Sequence, residues 1–438
     1  MHGENDPTVM EERAVLPRSR HLIEISREKI IWFSKLIVAV YVVIWILLIA
    51  TGPGLMDRCG RPKGTDFVAF YAAGRLGLAG KAATAYDPAS IQEAEFKIIG
   101  ARFLPTTWNY PPTFFLIMIP IAALPYLPAL LVWLFATLYA YTRYVTKYAP
   151  EKVTLWALFA FPGTFMNFFQ GQNGFFIGSL LAGGLLLMET QPVVGGALLG
   201  AMMFKPQFAW PVFIALIALR EWKVLAAATT TTVVTATASA LLLGNEVWIR
   251  FWSNIGVISK ATAQGLYPLY KNLTVFAASR LLGANISVSM LLECLVSVAA
   301  VTTMVWVWRR QRDIKYRASS MALCVLLASP SAWDYDLAIL GLALVCMGSD
   351  WADKGWLTGE KLLLVIGWCM PVVAILLAKV THVQLGPLIM ALMLWAIVRR
   401  VRLAGKPLPN TPLCNVSDLG HAQGLVMNNS KAEEHNAG

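Results

Sequence analysis

Apolar runs long enough to cross a bilayer recur from residue 30 to about residue 400, and no other feature restricts the fold of this chain as much. Hydrocarbon offers a backbone no hydrogen-bond partners, so a chain made of such runs must satisfy its own amides within helices. The composition agrees: 57% of the 438 residues are hydrophobic and 14% are charged, with a mean hydropathy of +0.59. The fold class read from this is all-α, a polytopic integral membrane protein with about twelve transmembrane helices. Spans are expected near 30–52, 153–169, 171–189, 193–219, 222–243, 286–308, 317–333, 334–349, 361–380 and 383–400. Residues 112–146, interrupted at Pro120, Pro125 and Pro128, are expected to fold back as two short helices. One membrane domain, 30–402, is expected between a cytoplasmic N-terminal tail, 1–29, and a disordered, polar C-terminal tail, 403–438. Residues 30–52 are too long for a cleaved signal and lack a small-residue cleavage site, so they are read as the first span.

A net charge of +11 raises the question of nucleic acid. The basic residues sit at span ends, however, in clusters such as Arg309, Arg310, Arg312, Lys315 and Arg317, or Arg399, Arg400, Arg402 and Lys406. Such clusters mark cytoplasmic loops and need no polyanionic partner. They place 53–111, 244–271 and 329–336 together on the extracytoplasmic face, while Arg143, Lys147 and Lys152 disagree with that assignment. Of six cysteines only Cys59 lies in the large first loop, and no CxxC pair or disulfide framework is present. Five histidines, one of them in the membrane domain, leave no metalloprotease spacing and no His-based triad. No phosphate-loop motif is present, which argues against ATP-driven transport by this chain alone.

The first loop, 53–111, is long for a connection between hydrophobic hairpins, and long loops usually carry function. Asp66 opens a stretch in which Phe67, Phe70, Tyr71, Gly74 and Leu78 recur at helical spacing, which predicts an amphipathic interfacial helix with an acid at its start. The helix dipole favours the carboxylate there, leaving it ionised and able to accept a proton; the alternative is that Asp66 only caps the helix. A second short helix is expected to begin with a capping box at Ser90 and Glu93, after an Asp87-Pro88 turn. The loop closes on the aromatic run Trp108-Asn109-Tyr110-Pro111-Pro112. The second polar loop, 244–271, carries Trp248, Trp252, Tyr267 and Tyr270 and reads as another interfacial element.

Carboxylates, a lysine, amides and aromatics at membrane depth remain as chemical candidates. Lys205 interrupts an apolar run just before the helix-breaking Pro206; it either neutralises a lipid-linked phosphate or snorkels to an interface. Gln172 and Asn173 either hydrogen-bond sugar hydroxyls or cap a helix turn. Asp334 and Asp336 form an Asp-x-Asp, which suggests a metal-bound nucleotide sugar in soluble glycosyltransferases, but here starts a span where acids also serve as caps. Glu293, among leucines inside a span, reads as a neutral buried acid bonded to another helix.

The order Asp66-Phe67-xx-Phe70-Tyr71-xx-Gly74, Tyr110-Pro111-Pro112, Gly171-Gln172-Asn173, Lys205-Pro206 and Ser329-Pro330-xx-Trp333-Asp334-Tyr335-Asp336 resembles glycosyltransferase family 87 over roughly residues 30–400. That family comprises integral-membrane enzymes of the GT-C fold, among them polyprenyl-phosphate-mannose-dependent α-mannosyltransferases and an arabinofuranosyltransferase. The resemblance implies that Asp66 is the general base on an acceptor hydroxyl. It implies that Lys205 and Arg75 hold the donor phosphate, and that Tyr71, Tyr110, Gln172, Asn173, Trp333, Asp334 and Asp336 contact substrate. The implied partners are a polyprenyl-phosphate sugar, a lipid or glycan acceptor and membrane lipids, with no nucleic acid. The donor is a lipid-linked sugar and no cofactor is expected; a divalent metal on Asp334 and Asp336 is conceivable and is not predicted. The implied location is a bacterial inner membrane with the site on the extracytoplasmic side. Some members carry two histidines where this chain has Tyr335 and Asp336, so their role and acceptor preference do not carry over. A secondary transporter fits less well, since no internal repeat is evident and the acids gather at one face. A non-catalytic scaffold of polysaccharide assembly predicts that Asp66 is dispensable.

Overall fold

The computed structural model describes residues 26–263 and 267–404, apart from the side chains of 258–263. The expected tails, 1–29 and 403–438, fall almost wholly outside the described residues. Among the described residues the chain is all-α. In chain order the helices are α1 (Arg27–Trp45, continued by a π-turn, Ile46–Ala50), α2 (Phe67–Leu78), α3 (Pro88–Ile99), α4 (Phe115–Ala122), α5 (Tyr126–Val145) and α6 (Lys152–Ala160). They continue as α7 (Pro162–Gln170), α8 (Gly174–Leu187), α9 (Pro192–Ala201), α10 (Pro206–Ala218), α11 (Trp222–Leu243) and α12 (Glu246–Ala263). The last six are α13 (Val275–Leu281), α14 (Ile286–Arg310), α15 (Ile314–Leu327), α16 (Ala338–Lys354), α17 (Glu360–Thr381) and α18 (Gly386–Leu403).

Among the described residues, five segments are long and apolar enough to cross a membrane: Arg27–Ala50, Trp222–Leu243, Ile286–Arg310, Asp334–Lys354 and Glu360–Thr381. Several leave large apolar side chains uncovered, such as Trp32 and Leu47 on α1, Leu291 and Val298 on α14, and Val365 and Leu376 on α17. A surface of that kind needs a non-aqueous cover, which a bilayer supplies. Proline opens three of the shorter apolar segments, at Pro112, Pro192 and Pro206. Pro125 separates α4 from α5 as the sequence predicts, but Pro120 lies inside α4 and Pro128 inside α5, and α5 at 20 residues is not one of two short helices. The span expected at 153–169 is in fact two helices, since Phe161 is extended and Pro162 opens α7.

The packed centre is α15, buried from Tyr316 to Leu327, with α8 and α16 against it. Tyr141 on α5 donates to the Ala338 carbonyl at 2.6 Å and ties α5 to the start of α16. The Thr- and Ala-rich α11 lies so close to α9 that a Cβ on Gly200 would stand 2.2 Å from the Ala228 carbonyl oxygen, the small-residue contact expected of it. At the start of α17, Arg400 of α18 donates to both carboxylate oxygens of Glu360, at 2.7 and 2.5 Å.

Two local expectations change. The first two turns of α2, Phe67 to Gly74, are buried on every side, so this helix is a core element and has no free amphipathic face. The cap of α3 is Asp87, whose Oδ2 accepts from the Ser90 amide at 2.9 Å and the Ser90 hydroxyl at 2.7 Å. Pro88 fills the first helical position and brings the start three residues ahead of the expected box. Glu293 does reach another helix: its Oε2 accepts from the Phe276 amide at 2.8 Å in the first turn of α13.

Candidate functional site

The start of α2, the α7–α8 turn, the 202–205 turn, the 269–274 segment and the 329–337 segment meet at one end of the bundle. Asp66 occupies the N-cap position of α2, but its carboxylate makes no capping bond. Its Oδ2 instead accepts from Gln172 Nε2 at 3.0 Å. The cap reading of Asp66 therefore fails on geometry, and the acid faces the α7–α8 turn. That turn comes very close: Gly171 has φ of +68°, and a Cβ there would lie 2.8 Å from Phe67 Cβ and 3.0 Å from the Gly64 carbonyl oxygen. The approach is fixed by the Asp66 amide donating to the Gln170 carbonyl at 3.0 Å and by Trp133 Nε1 donating to the Gly171 carbonyl at 3.1 Å.

Burial raises the Asp66 pKa; the Gln172 hydrogen bond and the nearby Lys271 and Arg61 pull it partway back. The dipole argument made from sequence is thus outweighed by desolvation, and the result is a stronger base than an ordinary aspartate.

Lys205 is buried, so the snorkelling alternative is ruled out. Its Nζ lies 2.5 Å from Asp336 Oδ1. The rings of Tyr335, Phe208 and Tyr110 surround it at 4.9, 5.5 and 5.9 Å from their centroids. Pro206 breaks the helix there and lets the lysine point inward. Both oxygens of Asp336 are engaged, because its Oδ2 also accepts from the Trp333 amide at 3.1 Å. Asp334 turns the other way: its Oδ2 accepts from Gln170 Nε2 at 3.1 Å and lies 3.8 Å from Lys271 Nζ. The two carboxylates of the Asp-x-Asp face different lysines and do not converge on one point.

Asn173 is fully buried; its backbone amide donates to Gln172 Oε1 at 3.2 Å, while its side-chain amide makes no well-formed hydrogen bond among the described residues, although the Tyr110 hydroxyl lies against it. An unsatisfied buried amide beside a half-buried tyrosine is suited to a polar ligand. Burial, followed by the charge of Asp336, keeps the Tyr110 phenol protonated. Trp333 is half-buried, with its indole donating to Ser331 Oγ at 3.0 Å.

Two expected residues are not brought to this site. Arg75 is exposed near the other end of α2, about 14 Å along the axis from Asp66, and its nearest acceptor is the Ala122 carbonyl at 3.5 Å. Tyr71 spends its hydroxyl on the Leu124 carbonyl at 2.8 Å. Both face α4 because α2 packs along it, so that a Cβ on Gly74 would sit 2.6 Å from Ala122 Cβ. In return the structure adds Lys271 and Gln170. Lys271 follows the aromatic 244–270 loop with no periodic pattern around it, and its place is decided by pairing with a segment sixty residues away.

The sequence model of glycosyltransferase family 87 matches residues 108–330, just over half of the chain. The chain belongs to glycosyltransferase family 87. Membership makes it a glycosyltransferase, and its apolar helices make it a membrane protein. No curated protein and no solved structure gives a significant match. Within this family 87 member the matched stretch contains Tyr110, Gln172, Asn173, Lys205 and Lys271. Asp66 and the 333–336 segment lie outside it and join it through the contacts above.

Proposed function

We propose that this family 87 glycosyltransferase is a multi-pass GT-C enzyme of the bacterial plasma membrane, with about twelve crossings once the short helices are paired. On this reading it transfers mannose from a polyprenyl phosphate to a hydroxyl of a lipid or glycan acceptor at the extracytoplasmic face, with inversion. The observation that carries it is the Asp66 carboxylate, which forgoes the capping bond its position offers, faces Gln172 and lies within the field of Lys271.

In the reaction so read, Asp66 takes the proton of the acceptor hydroxyl as its oxygen attacks the anomeric carbon. The bond from that carbon to the phosphate oxygen breaks on the opposite face, and its electron pair leaves with the polyprenyl phosphate. Charge grows on the phosphate as it departs, so fixed cations beside it favour the transition state over the ground state. Asn173, Tyr110 and Trp333 are assigned to sugar hydroxyls. Asp334 and Asp336 hold the lysines in place, and the transfer needs neither a nucleotide cofactor nor a divalent metal.

The test uses membranes containing wild type or Asp66→Asn, incubated with radiolabelled polyprenyl-phosphate-mannose and native lipid extract. Loss of a general base should lower transfer by about 10²–10⁴-fold at equal expression. Equal transfer by both proteins would overturn Asp66 as the base, and inactivity of both with active membranes of other members present would overturn mannose as the sugar.

A further inference from the structure

The cation that the sequence points to, Lys205, is not the one with room for a ligand. It is 3% exposed, locked to Asp336 and ringed by aromatics, so an incoming phosphate would have to break a buried pair to reach it. Lys271 is different. Its side chain is 37% exposed and its contact with Asp334 is long, at 3.8 Å. Its backbone is nonetheless pinned on both sides. Gln384 Nε2 donates to the Tyr270 carbonyl at 2.9 Å, Asn272 forms an antiparallel bridge with Trp333, and the Leu273 amide donates to the Ala332 carbonyl at 2.8 Å. A preorganised lysine whose head is half-exposed and held only by a long contact to Asp334 is the arrangement expected of an anion contact.

A groove of about 260 Å³ opens along the residues just before Lys271. Leu269, Tyr270, Leu281 and Ala378 form its walls, and Lys379 and His382 stand at its rim. The rim is the last turn of α17, one of the segments apolar enough to span a membrane, so the groove sits where hydrocarbon gives way to water. An apolar groove at that depth, lined by Tyr270 immediately before Lys271 and carrying Lys379 and His382, complements an amphiphile with an anionic head and an apolar chain.

Resting on the donor class proposed above, we propose that Lys271 binds the phosphate of the polyprenyl-phosphate donor and that the groove beside α17 takes the first units of its isoprenoid chain. The order groove, Lys271, Asp66 then sets chain, phosphate and sugar in sequence, with the acceptor hydroxyl at Asp66. Lys205 acts as a positioning residue that fixes the 333–336 segment through Asp336.

The test is binding to the purified full chain in detergent, with no sugar present, so that it stands apart from transfer. The probes are a long-chain polyprenyl phosphate, the matching polyprenol and a short-chain, water-soluble polyprenyl phosphate, each followed by native mass spectrometry. Wild type should prefer the long phosphate over the alcohol by at least about tenfold. Lys271→Gln should remove most of that preference and Lys271→Arg should keep it. Leu281→Trp, which fills the groove, should weaken the long phosphate severalfold while leaving the short one unchanged, the short ligand serving as the check on folding. Retention of the phosphate preference by Lys271→Gln would overturn the lysine assignment. Equal effects of Leu281→Trp on both chain lengths, or displacement of the long ligand by inorganic phosphate as readily as by lipid phosphate, would overturn the groove. A protein that passes these tests yet transfers no sugar overturns the reaction proposed above and leaves the lipid-phosphate site standing.

Discussion

The raised pKa of Asp66 has two consequences of opposite sign for the enzyme. For turnover the carboxylate form is needed, so transfer should fall as pH drops through the folded-state pKa of Asp66, which lies above the ordinary 3.8. Gln172→Leu removes the hydrogen bond that favours the carboxylate, so the acid limb of its pH–rate profile should move to higher pH still; an unmoved limb would mean that another group sets it. For folding the sign is reversed. A carboxyl whose folded pKa is raised stabilises fully below its unfolded pKa, and that contribution is lost as pH rises through the folded value. At neutral pH the buried charge is therefore a burden, and Asp66→Asn should raise the melting temperature by roughly 1–3 °C while it removes transfer. A variant that melts below wild type at neutral pH would sink the desolvation account. Glu95 in α3 should show the same linkage without the catalysis. It is fully buried, bonded to Thr106, and pushed up to about 7 by burial. Its contribution is complete below the ordinary 4.5 and fades as pH rises through about 7, so Glu95→Gln should flatten the fall in melting temperature across that range.

At the scale of elements, the site depends on how closely two turns can approach. A Cβ on Gly174 would lie 2.1 Å from the Tyr335 carbonyl oxygen and 2.6 Å from Asn167 Oδ1. Gly174→Ala should therefore push the 334–337 turn off α8, shift the partners of Lys205 and Lys271, and cost both transfer and lipid-phosphate binding. If Gly174→Ala keeps both, the turn is not held where the structure has it. The same turn marks what local sequence can encode. The break at Lys205-Pro206 and the acid opening α2 were legible because proline and helical spacing act over a few residues; the close approach of Gly171 to Phe67 and Gly64 was not, because it joins segments roughly a hundred residues apart. The burial of α2 was not, because its aromatic run fits one apolar face or a complete core surround equally well until α4 packs on it. Lys271 was invisible for the same reason: its position follows from the bridge between Asn272 and Trp333. Nor does spacing tell that Asp334 and Asp336 diverge toward different lysines, since the short turn between them decides it.

For the whole molecule, the open question of topology reduces to one side chain. If the basic clusters at 309–317 and 399–406 are cytoplasmic, the first loop is expected outside, and the reaction proposed here requires it there, since the base and the lysines share that end of the bundle. Cys59 lies in this loop, is exposed and is a free thiol. The other cysteines among the described residues fall in helices of the bundle: Cys324 and Cys346 are buried, Cys369 is half-buried and Cys294 faces outward from the apolar α14. A membrane-impermeant maleimide added to intact cells should therefore label the protein at Cys59, and Cys59→Ser should lose that signal. An engineered Ser349→Cys, beside Lys315, should react only after the cells are opened. The reverse pattern would place Asp66 on the cytoplasmic side, where a polyprenyl-phosphate sugar is not yet flipped, and the extracytoplasmic reaction would have to be abandoned even if Asp66 proved to be the base.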